Sequence, residues 1–207
     1  MPERSEIAAV VLAAGSSRRF GSDKLLHPVT LRGVTRPLAA HSLLPWLETF
    51  ERITVVVRPG SEVFRRTMET SLGIIRAAAV RWLVCHDAEQ GMAASLACGV
   101  RATCESSGWV IGLADMPALP SAAIAGVRNA LLSGAQLSAA SCNGRHGHPV
   151  GFAFRYYEEL LALGGDTGAR RLLERDASSL VPVPIGDNGI FADVDIPGDV
   201  QNLRNVI

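Results

Sequence analysis

An apolar run, Ile7-Ala8-Ala9-Val10-Val11-Leu12, empties directly into Ala13-Ala14-Gly15-Ser16-Ser17-Arg18-Arg19-Phe20-Gly21-Ser22-Asp23-Lys24. A short β-branched run without polar alternation fits a strand buried on both faces, as in a mainly parallel sheet. The residues after it put no bulk in front of the backbone N–H groups, so an anion can come close. Arg18, Arg19 and Lys24 add positive charge at the same place. The combination predicts a phosphate-binding loop at the carboxyl end of a first strand.

The rest of the chain repeats the alternation. Strands are expected at Ile7–Leu12, Arg52–Val57, Val80–Val84, Trp109–Ala114, Leu137–Ser141 and Val150–Phe154. Helices are expected between them at Pro37–Glu48, Ser61–Leu72, Ala93–Cys104 and Ser121–Ser133, with Ser121 as an N-cap and Gly134 as a stop. Asn143–Pro149, Gly164–Gly168 and Pro182–Asn188 read as loops. This order argues for an α/β protein with helices on both faces of a mostly parallel sheet. No linker-like stretch divides the 207 residues, so one domain over 1–207 is expected.

Composition narrows the function classes. Lys and Arg total 20 and Asp and Glu total 20, so no global field favours nucleic acid or an anionic membrane. No apolar stretch approaches the ~18 residues of a membrane span, and the polar start is unlike a signal peptide. Cys85, Cys98, Cys104 and Cys142 form no C-x-x-C pair and read as reduced thiols of a cytoplasmic protein.

Two common phosphate loops do not fit. A P-loop places lysine directly after its second glycine, whereas Lys24 comes three after Gly21; the G-x-G-x-x-G dinucleotide fingerprint is absent. Other segments carry polar groups after strands, where ligands bind in such a sheet. Leu113-Ala114-Asp115-Met116-Pro117 puts a carboxylate at a strand end, suited to Mg²⁺, which takes few protein carboxylates. Asp193 and Asp195 would share one face of a short strand before a helix starting at Pro197. Gly91 opens a helix of small residues whose amides can face a ligand. Cys142, His146 and His148 do not match a standard zinc spacing.

The first loop resembles the signature loop of the nucleotidyltransferases, most closely the branch of the molybdenum cofactor cytidylyltransferases. Leu-Ala-Asp-Met-Pro, Gly-Met-x-x-Ser-Leu, Gly-His-Pro-Val, Gly-Asp-x-Gly-Ala-Arg and Asp-x-Asp-x-Pro then follow in family order over about residues 7 to 204. The resemblance implies a three-layer, Rossmann-like fold with a mostly parallel, mixed sheet. It implies catalytic roles for Arg18, Lys24 and Asp115. Nucleotide contacts are implied for Ala13, Ala14, Gly15, Ser16, Ser17, Arg18, Lys24, Gly91 and Ser95. His146, His148 and Arg170 would line the acceptor side. Mg²⁺ would be held by Asp115 and Asp195, with Asp193 the second candidate. Ile196 stands where the family usually has Thr. The implied reaction joins CTP to a molybdopterin-type phosphorylated acceptor and releases pyrophosphate, with a molybdoenzyme or its chaperone as a further partner. A guanylyltransferase, a sugar- or polyol-phosphate nucleotidyltransferase, and a non-catalytic pterin-binding or insertion module are the alternatives. Leu-Ala-Ala-Gly in place of Leu-Ala-Gly-Gly weighs against the guanylyl branch.

Overall fold

The computed structural model describes residues 6–17, 19–165 and 168–203; Arg18, Asp166 and Thr167 lie outside them. The first strand, β1 (Ile7–Leu12), is followed by a hairpin of β2 (Pro28–Leu31) and β3 (Val34–Pro37). Then come α1 (Leu38–Thr49), β4 (Ile53–Val57), α2 (Glu62–Leu72), α3 (Ile74–Ala78), β5 (Val80–Val84), α4 (Met92–Ala102) and β6 (Gly108–Leu113). The second half holds α5 (Ser121–Leu132), β7 (Leu137–Cys142), β8 (Arg145–Ala153), α6 (Tyr157–Leu161), α7 (Arg170–Arg175), β9 (Leu180–Pro184) and α8 (Pro197–Asn202).

The main sheet has seven strands in the order β5-β4-β1-β6-β8-β7-β9. β1 pairs in parallel with β4 and β6, and β4 with β5, whereas β8 runs antiparallel to both its neighbours. Alternation along β1 assigns its faces. Ala9 and Val11 join a core with Leu43 and Trp46 of α1 and Ile124 of α5. Val10 and Leu12 join one with Leu96 and Val100 of α4 and Leu160 of α6. The result is helix, sheet, helix: the α/β, three-layer arrangement with a mostly parallel, mixed sheet.

Close packing explains two glycines. A Cβ on Gly112 of β6 would stand 2.3 Å from Trp46 Cζ2, and one on Gly99 of α4 would stand 2.5 Å from Val10 Cγ1. Side chains there would push the helices off the sheet.

Several expectations are corrected. Ser121 is the first helical residue, not the cap; Pro120, extended at ψ 141°, supplies the carbonyl that receives Ala123 N–H at 3.0 Å. Gly134, at φ +98°, does end its helix region. Residues 145–149 belong to β8, and 182–184 to β9, rather than to loops. Asp193 and Asp195 lie on an irregular extended stretch, not a strand, because its neighbour there is the turn at Asp115 rather than a sheet edge: Val194 N–H donates to Asp115 O at 3.0 Å. At the outer strand β9, Ile185 N–H donates to Ser141 O and Val181 O accepts from Ser138 Oγ. The odd-numbered residues thus face β7, and Pro182 and Pro184 face outward.

Candidate active site

Strand order reverses direction at β1. Successive strands β4 and β5 lie to one side of it, and β6 lies to the other. The carboxyl ends of β1 and β6 therefore flank the crevice where ligands bind in open α/β sheets. The two ends are level, since Leu12 pairs with Leu113 and Ala114 N–H donates to Leu12 O at 3.0 Å. On one side starts the Ala13–Lys24 loop, and on the other stands Asp115.

Lys24 joins them. It sits in a short 3-10 turn whose cap, Asp23, accepts a hydrogen bond from Leu25 N–H. Its ammonium is buried and reaches across the crevice to Asp115 Oδ2 at 2.7 Å, Val194 O at 2.7 Å and Asp195 Oδ1 at 3.3 Å. Three acceptors match the three donors of an ammonium. Burial works against its charge, but Asp115 and then Asp195 outweigh burial and hold its pKa above the usual 10.5.

The C-terminal segment is fixed by close packing on β8. A Cβ on Gly147 would lie 2.5 Å from Ile190 O, and the Arg145 guanidinium stacks over the Phe191 ring at 4.6 Å. The segment then passes under Asp115 and delivers Asp195, whose other oxygen receives Arg19 Nη1 at 2.9 Å. Asp199 holds the next helix start by accepting from Asp195 N–H and Ile196 N–H, and its own N–H, which a Thr hydroxyl at position 196 could receive, goes to Ile196 O at 3.0 Å. Asp193 is exposed to solvent on one side, but desolvation and then the Asp115 charge hold its carboxyl above the usual range.

Two polar atoms at this crossing are buried without a partner: Asp115 Oδ1 and His148 Nδ1. His148 reaches the site because β8 runs antiparallel to β6. Ile111 pairs with Val150, so the β8 residues just before Val150, His148 among them, lie toward the carboxyl end of β6. Burial depresses its pKa below 6.5 against the pull of Asp115, so the ring is neutral at pH 7. Buried polar atoms without a partner are costly, and these two leave hydrogen-bonding capacity unused beside Lys24 and Asp195. Oxygen donors suit a hard cation, and two carboxylates suffice for Mg²⁺, which completes its shell with water and phosphate. Among the described residues no group of three or more His, Cys, Asp or Glu gathers for a metal.

The remaining expected residues distribute around this centre. Ala13 is buried and tied to β4 through Val56 O at 2.8 Å, Ser16 is exposed, and the partly buried Ser17 accepts from Lys24 N–H through its hydroxyl at 3.3 Å. Gly91 precedes α4, and Ser95 is buried in its first turns at 4% exposure. Ala93 N–H donates to Gly165 O at 3.1 Å, which brings the Gly164 loop against that helix start. His146 is exposed on β8, and Arg170 is exposed at the start of α7, bonded to Glu174 at 2.8 Å. Arg18 lies outside the described residues. The sequence reading missed Arg58, which follows β4 directly and stands 3.7 Å from Asp23.

Residues 9–180 match the family described as the MobA-like NTP transferase domain. The chain is 34% identical over 214 residues to the purine catabolism protein PucB of Bacillus subtilis (strain 168), covering 97% of each chain. The crystal structure of Rv0371c from Mycobacterium tuberculosis H37Rv superposes with a TM-score of 0.79 at 25% identity, over 97% of this chain and 98% of that one. A manganese complex of the same protein gives 0.75 at 21% identity, over 97% and 99%. A 4-diphosphocytidyl-2C-methyl-D-erythritol synthase from Anaerococcus prevotii DSM 20548 shares the fold, with a TM-score of 0.72 at 15% identity over 96% and 94%. No helix among the described residues is long and apolar enough to cross a membrane. With its small-residue loop, its lysine and its facing carboxylates at the β1–β6 crevice, the chain belongs to the MobA-like NTP transferase family of nucleotidyltransferases.

Proposed function

We propose that the protein is a CTP:molybdopterin cytidylyltransferase. The observation that carries the reading is the crossing of Lys24 with Asp115 and Asp195 at the end of the strand that leads into Leu-Ala-Ala-Gly, which leaves Asp115 Oδ1 without a hydrogen-bond partner. The terminal phosphate oxygen of the pterin attacks the α-phosphorus of CTP, a P–O bond forms, and the bond to the β-phosphate breaks to release pyrophosphate. No protein nucleophile is needed, so the chain has to position two anions and offset their charge. Asp115 and Asp195 would hold Mg²⁺, which when bound draws negative charge from the phosphates. Rv0371c, which shares the fold, was crystallised with manganese. Ala14 to Ser17 offer backbone amides to the triphosphate, and Lys24 keeps a fixed positive charge between the loop and the carboxylates. His148, neutral, presents a hydrogen-bonding nitrogen to the acceptor. Ser95 and Gly91 stand on the base and ribose side.

Cytosine is smaller than guanine, so Ala14 can fill with a methyl group the space that the guanylyl branch leaves open with Gly. A mispaired buried polar group costs ~1–3 kcal/mol, enough for roughly 10- to 100-fold discrimination. The test is a pyrophosphate-release screen of CTP, GTP, ATP and UTP against molybdopterin, sugar phosphates and polyol phosphates. CTP with molybdopterin is expected to lead, with kcat/KM for CTP at least ~10-fold above GTP and Ala14→Gly narrowing the gap. Equal use of CTP and GTP by the natural protein refutes the reading, and pterin binding without turnover would point to an insertion module instead.

A further inference from the structure

We infer that Arg58, which no sequence motif marks, is the cation that receives the distal phosphates of the nucleoside triphosphate, together with Ser16, Ser17, Gly21 and Ser22. The inference rests on the reading of the protein as a triphosphate-using nucleotidyltransferase and adds a binding residue to it. The starting point is that, among the described residues, little positive charge at the loop is free. Lys24 spends its donors on Asp115, Val194 and Asp195. Arg19 reaches away from the loop to Asp195 Oδ2. Among the described residues, the basic group facing the loop cavity is then Arg58.

That cavity, about 260 Å³, is lined by Ser16, Ser17, Gly21, Ser22, Asp23 and Arg58. Its wall is made of hydroxyls, bare backbone, the Arg58 guanidinium and the Asp23 carboxylate. Ser17 at φ 51° and Gly21 at φ 80° are in the left-handed region, where a chain turns successive amides to one side. Arg58 comes from a rigid source, the residue after a strand whose every member is buried. Its present partner is weak. Arg58 Nη2 and Asp23 Oδ2 are 3.7 Å apart, with side chains 41% and 36% exposed, beyond hydrogen-bonding distance and open to screening. Asp23 meanwhile uses its other oxygen to cap the turn that carries Lys24. A phosphate would offer the guanidinium two parallel oxygens at full hydrogen-bond length, and so would replace Asp23 readily. The site would then sort its cations: Lys24 beside the carboxylates where the α-phosphorus reacts, and Arg58 on the pyrophosphate that leaves.

Calorimetric titration of the full chain in Mg²⁺ buffer with inorganic tripolyphosphate, CTP and CMP tests this directly. Arg58→Ala is expected to weaken tripolyphosphate and CTP by about 10- to 100-fold, the scale of losing charge-assisted hydrogen bonds, and to leave CMP unchanged. Arg58→Lys should fall between, because it keeps the charge and loses the fork. Asp23→Asn retains an oxygen to cap the turn and removes a competitor for Arg58, so its tripolyphosphate affinity should stay level or rise. Tripolyphosphate affinity unchanged in Arg58→Ala overturns the inference. So does an equal loss in Asp23→Asn, which would make the Arg58–Asp23 pair a brace for the loop. Because tripolyphosphate carries no base and no acceptor is present, a protein that proves not to prefer CTP can still pass this test. Failure of the base assignment and failure of Arg58 are thus read separately.

Discussion

Replacing Lys24 by Met removes one charge and three donors while keeping most of the stem that fills the crevice. Two acceptors lose partners at 2.7 Å and a third loses one at 3.3 Å. Charge-assisted bonds contribute ~1.5–3 kcal/mol each, and stripping one partner from a buried ion pair costs ~3–5 kcal/mol. The full figure does not apply, because the Asp115 and Asp195 side chains are 19% and 34% exposed and water can reach them once the lysine is gone. A net loss of about 2–4 kcal/mol follows, within the ~5–15 kcal/mol stability of an ordinary domain, so the variant should still fold. Urea unfolding at pH 7 measures it, with the midpoint falling and the slope unchanged. A cycle with Asp115→Asn isolates the pair: the double variant should recover at least ~1 kcal/mol of the summed losses, as expected for residues in contact. A loss below ~0.5 kcal/mol with no coupling would show that the ammonium does not hold these carboxylates, and would refute the geometry on which the site is built.

Two further outcomes concern the frame around the site. Gly112→Ala would drive a Cβ to within 2.3 Å of Trp46 Cζ2, so a loss of at least ~1–3 kcal/mol is expected from overpacking; an unchanged melting temperature would mean that α1 gives way freely. His41, on α1, is buried and contacts Val29 O at 3.0 Å, and burial holds its pKa below the usual 6.5. The unfolded chain therefore takes up a proton that the folded chain resists, and stability falls as pH drops below 6.5. His41→Gln should flatten that acid slope; an identical slope in the variant removes His41 as its cause.

The parts of the fold that the sequence disclosed were those whose residues carry their own periodicity. β1, β4 and β6 are apolar or β-branched runs, broken only by glycine in β6, β5 is such a run interrupted by Arg81, and all four fell within a residue of expectation. The β2–β3 hairpin was missed although Val29 and Leu31 alternate and Arg32-Gly33, both at positive φ, form its turn. It is short and half exposed, so burial leaves little pattern in it. β9 was hidden by its prolines, which argue against a strand wherever both edges are paired. At the site, Lys24 and Asp115 were each legible as chemistry, but their meeting across 91 residues depends on the Leu12–Leu113 register, which no local pattern encodes. The role of the Gly189–Val194 stretch in carrying Asp195 was equally hidden, since it rests on contact with Gly147 of another strand. Arg58 escaped because an arginine after a strand looks like any surface cation until the loop is seen folded opposite it.

The outward prolines of β9 bear on how the protein behaves at high concentration. An exposed strand invites a second chain to add itself, because each outward residue normally offers both a donor and an acceptor. At Pro182 and Pro184 only the carbonyls remain, so an incoming strand would meet two oxygens in succession with no N–H between them. Val181, 42% exposed beside them, adds apolar surface that would otherwise favour such stacking. Crowding can press two molecules together along this margin, but it cannot zip them, and the sheet ends at its seventh strand.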